Sequence, residues 1–124
     1  MNWMLALAAF FGMTGVMLGA FAAHGLKGRL DAAMLSAFQT GVQYQLWHAL
    51  AVLLLVVLYR QQPQPLLSWA AMAMLTGILL FSGSLYLLAL TGIKWFGPVT
   101  PMGGLCMILG WGLLLIAAFK GATH

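Results

Sequence analysis

Gln39-Thr40-Gly41-Val42-Gln43-Tyr44-Gln45-Leu46-Trp47-His48 runs without a break into Ala49-Leu50-Ala51-Val52-Leu53-Leu54-Leu55-Val56-Val57-Leu58. The second half is an unbroken apolar run without charge, as a membrane-spanning helix requires. The first half places six polar or titratable side chains in ten positions, and no proline separates the two halves. One helix therefore carries both a lipid-compatible stretch and a concentrated polar one.

The rest of the chain is apolar in the same way. Its 124 residues are 64% hydrophobic and 5% charged, against about 25% charged in soluble domains. No soluble fold of this length could bury that much apolar surface, so the fold class is all-α, an integral membrane bundle of four antiparallel helices forming one domain over residues 1–124. Spans of at least ~20 apolar residues are expected at about residues 2–23, 40–59, 66–91 and 101–119, with the second helix starting in the interface at about 31–39. The first apolar run has no basic leader and exceeds a signal-peptide core of about 7–15 residues, so it is expected to be a retained span. Lys27, Arg29, Arg60, Lys94 and Lys120 fall at the predicted helix ends, and Asp31, the one acid, reads as an N-cap. These cations form no stripe that could follow a phosphate backbone, which excludes nucleic acid as a partner. Cys106 is the single cysteine and lies in an apolar run, so no intramolecular disulfide or CxxC site exists.

Two kinds of position carry candidate roles. Gly15, Gly19 and Ala23, with Gly12 nearby, give the first span a face without bulk, and Ala73 and Gly77 do the same on the third. Small residues at such spacing let helix backbones approach closely in a membrane. The second kind is polar. At about 100° per residue, Gln39, Thr40, Gln43, Tyr44 and His48 cover half the helix circumference, with Gln45 just beyond. Facing lipid they would be unsatisfied, so this half is expected to turn inward. Antiparallel packing brings it toward His24 at the end of the first span and Ser82, Ser84 and Tyr86 on the third. The candidate polar layer is thus His24, Gln39, Gln43, Tyr44, His48, Ser82, Ser84 and Tyr86.

Three chemistries fit such a layer. Amides and hydroxyls can bond across helices and fix their packing. They can line a small cavity for a polar solute or proton, formed by Gln43, Tyr44, His48 and Ser84, with His48 as the titrating group. Or His24 and His48 could hold haem or a metal, but His48 lies about nine residues, ~13 Å, deeper than Gln39 while His24 is near the surface. No span interior carries a carboxylate of the kind proton-coupled antiport uses. Helix packing is the leading expectation, with no catalytic residue, no cofactor and no metal. The partners expected are the lipid bilayer and, as protein, a second copy or another membrane protein.

Four blocks resemble a known family. Gly19-Ala20-Phe21-Ala22-Ala23-His24-Gly25-Leu26, Thr40-Gly41-Val42-Gln43-Tyr44-Gln45 with His48-Ala49-Leu50, Leu80-Phe81-Ser82-Gly83-Ser84-Leu85-Tyr86 and Pro98-Val99-Thr100-Pro101-Met102-Gly103-Gly104 are similar to motifs of the YgdD-like bacterial inner-membrane proteins. These form the domain of unknown function family numbered 423, to which animal transmembrane protein 256 is similar. The resemblance covers nearly the whole chain and implies a multi-pass protein of the bacterial inner membrane, without implying an activity. Ala22 stands where the family often has Gly, and Gln43 where some members have Glu, so an acid at position 43 is not obligatory.

Overall fold

The computed structural model describes residues 2–121. Four long helices follow one another: α1 (Asn2–His24), α2 (Ala32–Gln61), α3 (Pro65–Thr91) and α4 (Val99–Gly121). Each is long and apolar enough to cross a bilayer. A single 3-10 turn, Lys94–Phe96, lies between α3 and α4.

Local chemistry sets the boundaries. Asp31 caps α2 by accepting the Met34 backbone N–H at 2.8 Å, which satisfies a donor the helix start leaves free. Pro65 opens α3, where its missing N–H costs nothing. Gly92 ends it at φ 71°, a left-handed geometry that glycine adopts without strain. Inside α3, residues Ile78–Ser82 form a π-turn, and the Gly83 N–H reaches back five residues to Ile78.

Consecutive helices pack against one another, so α2 and α3 form the centre and α1 and α4 flank them. The register is antiparallel. At one end the Arg60 guanidinium donates to the Asn2 amide oxygen at 3.0 Å; at the other, the rings of Phe21 and Phe38 meet edge-on at 6.3 Å. The interior holds two apolar clusters. One gathers Met4, Ala8, Val52, Leu55, Leu67 and Met74; the other gathers Ala22, Leu26, Phe38, Val42 and Ala89. Phe38, expected in the interfacial start of α2, is fully buried there.

Glycines set the closest approaches, though not all where the sequence places them. A Cβ on Gly15 would lie 2.6 Å from Leu46, and one on Gly19 would touch Val42. Gly12 faces open space and Ala23 is exposed, while Ala22 is buried instead. The seam follows Ala8, Gly15 and Ala22, a seven-residue step natural to helices crossing at a shallow angle, and an i+4 series drifts off it. Between α3 and α4 the contact is tighter still. A Cβ on Gly77 would meet Met107, one on Gly110 would lie 2.6 Å from Met74, and one on Gly103 would overlap the Phe81 backbone. Ala73 is only half-buried, and Ala70, Met74 and Gly77 form the buried face toward α4.

Candidate functional site

The polar side chains that reach the interior lie between the two apolar clusters. Gln45 is their hub. Its Nε2 donates to the Phe11 carbonyl and to Thr14 Oγ1, both at 2.9 Å, and its Oε1 accepts the Tyr86 hydroxyl at 2.7 Å. One amide thereby ties α2 to α1 and to α3. Beside it the Ser82 hydroxyl donates to the Gly41 carbonyl at 2.6 Å, and the Tyr86 ring lies over Gly41, where a Cβ would come within 2.8 Å of it. Gly41 thus opens the space through which Tyr86 passes to Gln45. Ser82 belongs to the π-turn of α3, and a turn of this kind commonly marks a specialised position in a helix.

His48 is the second node. The Trp111 indole Nε1–H, which can only donate, points at His48 Nε2 at 3.0 Å. Nε2 must therefore be the acceptor, so Nδ1 carries the proton and donates to the Tyr44 carbonyl at 2.8 Å. The ring is held as a neutral imidazole of defined tautomer with both nitrogens used. Tyr44 stacks on it at 5.9 Å and lies 4.6 Å from Phe81, which packs the imidazole between α2 and α3. Ser84 bonds the Phe81 carbonyl and shares a hydrogen bond with Thr100 at the start of α4. Every helix thus contributes to the layer, and none of the buried side-chain nitrogens and oxygens among the described residues lacks a partner.

The structure brings together Tyr44, His48, Ser82, Ser84 and Tyr86 of the expected layer and leaves out three of its members. His24 is exposed at the end of α1, and Gln39 and Gln43 are exposed on the outside of α2. Gln43 is two residues, ~200° of helix, from Gln45, so the two amides cannot both face inward. Gln43 lines an open groove of about 300 Å³ between α1 and α2 with Gly19, Ala22, Gln39 and Val42. Tyr44, His48 and Ser84 are engaged with their neighbours, away from that groove. Gln45, Thr14, Thr100 and Trp111 were not among the expected site residues. Trp111 carried a signal, because a tryptophan in mid-span is far from the interfacial belts where the residue concentrates. Among the described residues no three His, Cys, Asp or Glu side chains come together as a metal site would need.

A family profile described as "Protein of unknown function (DUF423)" matches residues 18–104, a stretch holding Gly41, Gln45, His48, Ser82 and Tyr86. The chain belongs to that family. Members similar to it over their full length include a "UPF0382 membrane protein" of Staphylococcus aureus, 42% identical over 98% of this chain and 99% of that one. The "UPF0382 inner membrane protein YgdD" of Escherichia coli K12 is 40% identical over 99% of this chain and 97% of its own. No solved structure matches. With four membrane-spanning helices and these relatives, the family member described here is a multi-pass protein of the bacterial inner membrane.

Proposed function

We propose that the protein is a structural or accessory component of the inner membrane, without catalytic activity, whose polar layer is an internal clasp holding four helices in one arrangement. The observation that carries this reading is the saturation of the buried polar atoms by one another. A hydroxyl, amide or imidazole whose donors and acceptors are spent inside the chain has little to offer a passing solute or a substrate. The same saturation weighs against a solute pathway through His48 and Ser84, because opening one would break bonds that lipid cannot replace. Its partners on this reading are the surrounding lipid and a protein surface, a second copy or another membrane protein, presented by the fixed bundle.

Thermal melting of the purified protein in lipid tests the clasp. Gln45→Leu and His48→Ala should each lower the melting temperature. Unchanged melting together with failure to complement a deletion strain would overturn the reading and assign these residues to an activity instead.

A further inference from the structure

We propose that the outward face of α2 from Gln39 toward Leu58 is a pairing surface for a second copy of this chain, on which Gln39 and Gln43 hydrogen-bond to their own counterparts. This deepens the partner class named above and is tested separately from the clasp.

The observation is one amide in the wrong solvent, Gln43, with a second, Gln39, one turn away at the edge of the hydrocarbon. The side chains of Gln39 and Gln43 are exposed and make no hydrogen bond among the described residues. Their depth follows from the packing of α1 on α2. Phe38 meets Phe21 near the end of α1, and Gly19 faces Val42. Gln43 therefore lies about five residues, ~7 Å, further into the membrane than Phe38. Counted from Arg60 at the opposite end, twenty residues or ~30 Å of α2 reach only to about position 40, so Gln43 falls within the hydrocarbon. A primary amide facing lipid there leaves two donors and an acceptor unpaired.

The stripe continues below the amides. Trp47, Leu50 and Leu54 are all more than half exposed, and with Gln39 and Gln43 they follow steps of four, four, three and four residues. That is the spacing of a seam between two nearly parallel helices. The occupant is selected by charge. From Gln39 to Tyr59, α2 carries no ionised side chain, so two copies meet without like-charge repulsion, while a partner presenting a buried charge would find nothing to pair with it. An amide is donor and acceptor at once and so is complementary to itself. Copies inserted in the same orientation have parallel α2 helices, and a two-fold axis between them places each seam residue against its own copy. The groove lined by Gly19, Ala22 and Val42 lies alongside the amides and gives the partner's side chains a hole to enter.

Cys106 is the only cysteine, so a Cys106→Ser background allows one thiol at a time to be placed. In vesicles of phosphatidylethanolamine and phosphatidylglycerol, oxidation should give covalent dimers from Gln43→Cys, Leu50→Cys and Leu54→Cys but not from Met17→Cys on α1 or Leu115→Cys on α4. Fluorescence energy transfer between labelled copies should show the Gln39→Leu/Gln43→Leu double variant dissociating roughly tenfold more readily than wild type. Its monomer melting should be unchanged, which shows that it has folded. Cross-linking without preference for the seam, a wild type that stays monomeric as vesicles are made richer in protein, or a double variant that pairs as tightly as wild type would each overturn the proposal. The last result would mean that water or headgroups already satisfy the two amides.

Discussion

Gln43 and Gln45 are the same side chain, two residues apart on one helix, in opposite circumstances. Gln45 is 3% exposed and makes three hydrogen bonds to α1 and α3, whereas Gln43 faces outward and makes none within the described chain. What separates them is the company each keeps along its stripe. Above and below Gln45, at four-residue spacing, are Gly41 and Ala49, and at seven Phe38 and Val52, all buried. Above and below Gln43 are Gln39 and Trp47, both exposed. Small neighbours let the other helices of the bundle pack backbone-close and bond an amide directly; beside Trp47 only a partner that reaches out with a long side chain of its own can do so. Polarity says that a side chain needs a partner, and the bulk around it says which side the partner comes from.

The contrast can be broken most forcefully on the inward face. Gln45→Leu removes the hub and strands the Tyr86 hydroxyl in an apolar site, so unfolding in lipid or mild detergent should become easier by about 3 kcal/mol. Gly41→Ala keeps every polar group but pushes against the Tyr86 ring that reaches Gln45; the overpacking should cost about 1–3 kcal/mol by the same melt. His48→Phe retains the ring and loses its two bonds. A double-mutant cycle with Trp111→Phe should give a coupling near ~0.6 kcal/mol, the average for a hydrogen bond between membrane helices. Gln43→Leu is the smallest change. Monomer stability should stay within about 0.5 kcal/mol of wild type, and a loss as large as that of Gln45→Leu would erase the distinction between the two faces.

The spans were legible because unbroken apolar runs of this length permit little else, and the Asp31 cap and the Pro65 start have mechanisms that act locally. The layer was legible in outline. Ser82, Ser84, Tyr86, Tyr44 and His48 stand out as polar groups in apolar helices, and they do meet. Gln39 and Gln43 were misplaced because six polar positions in ten cover more than half a helix, and a wheel of polarity does not say which arc turns inward. The flanking Gly41 and Ala49 held that information. Thr14 was silent for a different reason. A lone threonine in an apolar helix bonds its own backbone, as it does here with the Phe10 carbonyl at 2.9 Å, so its second role as acceptor for Gln45 exists only once α2 is beside it. The seam of Gly103 and Gly110 lay hidden among the other glycines of α4, because the sequence does not say which of them face α3.

The π-turn at Ile78–Ser82 acts as a phase shifter. A turn of this kind accommodates one residue more than the α-helical repeat, so everything beyond it is rotated by ~100° relative to an uninterrupted helix. Before the turn, Ala70, Met74 and Gly77 look toward α4. Within and beyond it, Ser82 and Tyr86 look toward α2, and Ser84 reaches Thr100 of α4. A single-residue deletion within the turn would restore an ideal ladder of backbone hydrogen bonds and yet swing Tyr86 a quarter-turn off Gln45. Length at this point of α3 is therefore more tightly constrained than composition. Substitutions there can be absorbed side chain by side chain, whereas an insertion or deletion changes which neighbour the last turns of the helix address.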